Sequence, residues 1–316
     1  MEVPYQLQIF RKRDFGDIIG DSFKILFVNL KPLSLGFLMY VIPIFLLACG
    51  IVAMLGGNAI QKVITQDMGS MSDIESLVSG FGFLYLGLIV SYMMLWTLVY
   101  STMKTYKDKG SQVITIEELS ATFKRYVGKV SMSLIIFFLC LVIPVALVLG
   151  LLAFISPILM GFSIILILPA IIYFSICFTF FPFVLVEEDL DYVEAIKRSF
   201  YLIKENWWAT FAILLVAGIV SSLMSSIFAI PYYIYIFVHT MSSTTTGEGV
   251  GSLGYMTAIS YMFSLLGSLF ASMYTSTATV LKYYDLVERK DAVQLSERID
   301  ALGTKKDSFF ENEGDF

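Results

Sequence analysis

No aspartate, glutamate, lysine or arginine occurs inside any of the six long apolar stretches of this chain. Ion- or proton-coupled transporters commonly carry such a residue within the bilayer, so their absence argues against that class. Histidine is nearly missing too. One residue, His239, excludes a membrane enzyme built on several histidine ligands around a metal. Cysteine is scarce, and Cys49, Cys140 and Cys177 all lie in apolar runs. They read as small buried side chains, not as a disulfide framework or metal knuckle. The N-terminal residues lack an apolar core leading to a small-residue cleavage site. The first apolar stretch is therefore expected to act as an uncleaved insertion signal.

Charge is also short overall. Only 15% of the residues are charged and 57% are hydrophobic, where a soluble domain carries about a quarter charged residues. A bilayer core is crossed by about 20 apolar helical residues. Six segments meet that length: about 33–55, 81–103, 131–154, 157–181, 209–237 and 253–281. The third and fourth form one long block, broken at Ile155-Ser156-Pro157. Proline suits a helix start and disturbs its interior, so a tight hairpin is expected there. The fold class expected is all-α, a six-span transmembrane bundle. Residues 1–286 form the membrane domain, and 287–316 form a tail of one helix and a disordered acidic end.

The cations are sorted by side. Arg11, Lys12, Arg13, Lys24 and Lys31 precede the first span. Lys104, Lys107, Lys109, Lys124, Arg125 and Lys129 lie between the second and third. Lys197, Arg198 and Lys204 lie between the fourth and fifth, and the remaining basic residues but one follow the sixth. Lys62 alone, of 21, falls on the other side. Positive charge is retained in the cytoplasm. Both termini are thus expected to be cytoplasmic, in the cytoplasmic (inner) membrane of a bacterium.

The segments before spans one, three and five resemble one another: FGDIIGDSFKIL, TIEELSATFKRY and YVEAIKRSFYLI. Without gaps, Asp17, Glu117 and Glu194 align. So do Ser22, Thr122 and Ser199, and Phe23, Phe123 and Phe200. Each has apolar residues at helical spacing. Thr115 with Glu118, and Asp191 with Glu194, have capping-box spacing. Three interfacial amphipathic helices are expected, about 15–30, 115–130 and 192–207. The chain then reads as three repeats of such a helix followed by a transmembrane hairpin.

At 182–216 the sequence PFVLVEEDLDYVEAIKRSFYLIKENWWATFAILLV resembles the membrane domain of glycerophosphoryl diester phosphodiesterases and its stand-alone relatives. Glu194, Ala195, Arg198, Ser199, Leu202 and Trp207 or Trp208 match its pattern. LKYYDLVERKDAVQLSERIDALG at 281–303 and FGDIIGDSFKILFVNLKPL at 15–33 are similar to its ends. The resemblance implies a polytopic membrane fold. It carries over no catalytic role, because the phosphodiesterase chemistry resides in a separate soluble barrel.

Lys197, Arg198, Trp207, Trp208, Lys124 and Arg125 are the candidate contacts to lipid headgroups or the interface. The acidic run Glu187, Glu188, Asp189, Asp191 and Glu194 opens a helix, where carboxylates suit the dipole, and no metal site is expected. No catalytic residue and no cofactor are expected. Partners are expected to be membrane lipids, with a membrane protein or a second copy meeting spans five and six as a further option, and no nucleic acid. The expected function is non-enzymatic, lipid-organising or scaffolding. A passive conduit or lipid-translocating protein is the alternative.

Overall fold

The computed structural model describes residues 9–64, 71–109, 114–246 and 254–292. The side chain of His239 and the tail beyond 292, with its Phe309-Phe310 pair, lie outside the described residues. Among those described, the regular structure is entirely helical. The elements are α1 (Phe15–Val28), α2 (Leu30–Gly36), α3 (Ile42–Ile64), α4 (Met71–Asp108), α5 (Ile116–Ile155), α6 (Pro157–Phe178), α7 (Phe181–Glu187), α8 (Tyr192–Ile203), α9 (Trp207–Thr246) and α10 (Gly254–Asp291).

Five helical stretches are long and apolar enough to cross a membrane: Leu30–Met54, Ile74–Asp108, Ile116–Ile155, Gly161–Glu187 and Trp207–Val238. The sixth stretch, expected at 253–281, falls from residue 254 onward within α10 and is not among these five. The second half of α10 is enclosed by the bundle. α10 packs against α9, α1, α4, α3 and α8. From Tyr274 to Glu288 it is buried on nearly every side. A helix enclosed by other helices needs no apolar outer face, so serines and threonines are tolerated when their hydroxyls are bonded. Ser276, Thr277 and Thr279 each donate to the carbonyl four residues earlier.

Local chemistry sets the breaks. Ser156 is extended, with Pro157 opening α6, so α5 and α6 form a hairpin. Residues 37–41 between α2 and α3 form a π-helical turn just before Pro43. Proline donates no N–H and its ring crowds the carbonyl four residues back, which a widened turn relieves. α5 and the following helix carry Pro144 and Pro169 without ending there.

The second expected interfacial helix is corrected by this geometry. α5 runs unbroken from Ile116 to Ile155, 40 residues. Residues 116–130 are thus continuous with the apolar stretch that follows and do not form a separate helix. Asn29 separates α1 from α2, and Lys204–Asn206 separate α8 from α9, so breaks exist in the other two cases. Thr115 does cap α5: its N–H is bonded by Glu118 at 3.0 Å. Asp191, at the start of α8, makes no side-chain capping bond.

The far half of the α5–α6 hairpin stands away from the bundle. Phe154 is 94% exposed, and Leu151, Ile158, Phe162 and Leu166 are also exposed. Such apolar exposure is stable only against lipid or another apolar partner.

Candidate functional site

Two kinds of site lie near the charged end of the bundle. One is ionic and the other apolar.

The ionic site begins with Asp285 on α10, fully buried. It accepts the Arg13 backbone N–H at 2.8 Å, Lys282 Nζ at 2.7 Å and Arg289 Nε at 2.9 Å. Arg13 is itself only 1% exposed. Its guanidinium donates to Asp21 of α1 and to the Ile9 carbonyl, and Arg289 returns a bond to the Arg13 carbonyl. Burial lowers the Arg13 pKa, although Asp21 and Asp285 both pull the other way. The cluster pins the N-terminal segment to the end of α10.

A second cluster forms around α7. Glu187 accepts from Lys104 at 2.9 Å, Lys107 at 3.1 Å and Tyr284 Oη at 2.6 Å. Glu188 pairs with Arg198 at 3.0 Å and with Tyr283. Arg198 also bonds Asp291 at the end of α10. Asp189 pairs with Lys129 of α5 at 2.6 Å, and Lys290 with Glu205 at 2.5 Å. Burial lowers the Arg198 pKa, but Asp291 and Glu188 outweigh it and hold the value above the ordinary one. Glu187, Glu188 and Asp189 therefore diverge to separate bases instead of converging on one point. A cleft of about 300 Å³ lies among Phe10, Lys107, Glu188, Arg198 and Tyr284.

The apolar site comprises two grooves open on the outside of the bundle. The larger, about 540 Å³, lies between α5, α6 and α8. Pro144 and Val148 form its α5 wall, Ile167, Ala170 and Phe174 its α6 wall, and Ile196 and Phe200 of α8 its end. The second, about 380 Å³, lies between α4, α5 and the α6–α7 corner, with Tyr85, Ile89 and Trp96 along α4 and Phe137 and Phe138 on α5. Phe178 borders both. Both volumes fall in the usual range for ligand sites.

Helix α8 sits between the ionic and apolar parts. Ala195, Ser199, Leu202 and Ile203 are buried, and Ser199 Oγ donates to the Cys177 carbonyl of α6 at 2.5 Å. Ile196 and Phe200 close the larger groove, so the apolar stripe read along this segment is partly turned inward.

The expected interface residues divide accordingly. Arg198 is engaged by Glu188 and Asp291. Lys197, Lys124 and Arg125 are exposed. Arg125 lies over the Tyr126 ring at 5.4 Å. Trp207 is half-buried, stacked on Phe211 at 5.5 Å and Tyr173 at 5.7 Å. Trp208 is 75% exposed beside it. The structure does not gather these six into one site. Sequence reasoning missed Arg13, Asp21, Lys104, Glu187, Lys282 and Asp285 as an interior network. The available signal was the spacing of Lys282, Asp285 and Arg289 on one helical face beside two tyrosines.

Residues 119–283 match the family described as a domain of unknown function (DUF7847). The chain belongs to that family. The matched region contains every residue named above for the larger groove, and it leaves out α1 to α4. No curated protein matches the chain, and no solved structure does.

Proposed function

We propose that this chain is a non-enzymatic, six-span protein of the cytoplasmic membrane that holds an anionic phospholipid of the inner leaflet. It would act as a lipid-organising protein or as the lipid-binding subunit of a larger assembly. The carrying observation is the groove between α5, α6 and α8. Its α6 wall, Ile167 to Phe178, is about 16 Å long at 1.5 Å per helical residue. That is about half of a 30 Å hydrocarbon core, the depth of one leaflet. Lys197 lies between Ile196 and Phe200 in sequence and is exposed. Among the described residues no ion pair engages it. Polybasic positions at a membrane surface attract anionic headgroups. Lys124 and Arg125 add positive charge at the same end of α5, and Trp208 suits an interfacial anchor. Arg198, bound in its own ion pairs, supports α8 instead of meeting the headgroup.

Orientation follows from the sorted lysines and arginines: both termini cytoplasmic, with α10 as the sixth span. The three-fold repeat belongs to the same reading. The aligned phenylalanines each meet an aromatic ring of another element: Phe23 with Tyr274 at 4.3 Å, Phe123 with Tyr40 at 4.0 Å, Phe200 with Phe178 at 5.3 Å. So does kinship with the membrane domain of the phosphodiesterases named above, which would share the fold and not the chemistry. A protein partner or a second copy would meet the apolar faces left open on α9 or the α5–α6 hairpin. A conduit is less well supported. Thr97, Thr102 and Thr277 are buried and spend their hydroxyls on their own helix backbone.

Native mass spectrometry of gently purified protein tests the proposal. A retained anionic phospholipid is expected, and its loss in Ala170→Trp, which fills an exposed groove position. Retention of no lipid by the unaltered protein, or equal retention by the variant, would count against it.

A further inference from the structure

The two grooves share one border, the ring of Phe178, which packs on Phe137 at 5.9 Å and Phe200 at 5.3 Å. Phe178 is the last residue of α6, at the charged end of the bundle. From that border one groove follows α6 back to Ile167, and the other follows α4 from Trp96 back to Tyr85. Both walls lead away from the charged end, because α4 reaches Lys104 after Trp96 and α6 leads to Glu187. Each wall spans eleven residue steps, about 16 Å. Two apolar channels of equal length, one leaflet deep, thus diverge from a single aromatic partition.

We infer that the two grooves hold the two acyl chains of one phospholipid, straddling Phe178 with its headgroup toward Lys197. This rests on the lipid-binding reading above and adds the number of chains. A one-chain lipid fills one channel and leaves the other to its surroundings. A second chain seated in its own channel adds packing contacts along about 16 Å that a one-chain lipid lacks, and van der Waals packing is what holds apolar groups together in an apolar solvent.

The test compares phosphatidylglycerol with its one-chain lyso form, each titrated into delipidated protein in detergent and followed by native mass spectrometry. One copy of the two-chain lipid should bind at least tenfold tighter than the lyso form. Ile89→Trp, filling the α4 groove, should weaken the two-chain lipid to the lyso level while lyso binding holds. Phe138→Trp fills the same groove from its exposed α5 side and replaces Ile89→Trp should that variant fail to fold. Equal affinity for both lipids, two copies of the two-chain lipid per protein, or unchanged two-chain binding in the folded groove variants overturns the inference and leaves lipid binding standing. Absence of binding by either lipid overturns both.

Discussion

Asp285 shows how a charge is kept inside this protein. Its carboxylate has three donors, from Arg13, Lys282 and Arg289, and no exposure. Removing one member of a buried charged group strands the others, at a cost of about 3–5 kcal/mol. Asp285→Ala should therefore lower the melting temperature in detergent sharply. Glu75→Ala, an exposed carboxylate on α4, should leave it within error. Surface pairs behave differently. Lys129 holds the Asp189 carboxyl below its usual range, and Lys290 does the same for Glu205. A carboxylate with a depressed folded pKa binds its proton less readily folded than unfolded. Its contribution is complete above the ordinary carboxylate pKa of about 4 and is lost as pH falls through the lower folded value. Melting curves between pH 5 and 3 should show this loss, small and salt-sensitive. Glu205→Gln should flatten its share.

At the scale of elements, helix crossings rest on particular glycines. A Cβ added at Gly87 would lie 2.1 Å from the Ala48 Cβ, where α4 crosses α3. One added at Gly267 would lie 2.2 Å from the Phe228 Cβ, where α10 crosses α9. Close helix approach in membranes depends on such small residues. Gly87→Val and Gly267→Val should each destabilise the protein or separate the pair, seen as earlier melting. Gly218→Val, with open space around it, should be tolerated. These crossings could not be read from sequence, because small residues recur throughout α3, α4, α9 and α10 and nothing local says which one meets a neighbour. The hairpin turn could be read: Ser156-Pro157 is a local signal, since proline is favoured at the first helical position and costs stability at later ones. The unbroken α5 could not. Thr115 to Val130 has an amphipathic pattern whether it lies flat or extends a span, and only its continuity with Ser131 decides.

For the molecule as a whole, the sorted cations make a topology prediction. Tags at either end should be digested by protease only from the cytoplasmic side. Cysteines introduced at residues 65–70 should react with impermeant reagents only from the outside. A tag at one end protected with the cytoplasmic side open would refute the orientation. Lys197→Ala should weaken retention of anionic phospholipid about fivefold, the effect of about 1 kcal/mol per surface charge, and leave zwitterionic lipid unaffected. An equal fall for both lipids would assign Lys197 to packing.

The chain alone determined that it is helical, rich in spans and sorted by charge, because hydropathy, proline position and lysine placement are properties of a segment and its immediate neighbours. Tertiary structure decided which polar groups are interior. Lys282, Asp285 and Glu187 sit just past the apolar stretches, where a segment-by-segment reading expects solvent. They are buried because α1, α4, α7 and α8 close around the end of α10. Tertiary structure likewise turned Ile196 and Phe200 toward a groove and set Phe178 between two channels. Burial and cavity shape depend on several elements at once, and no single segment contains them.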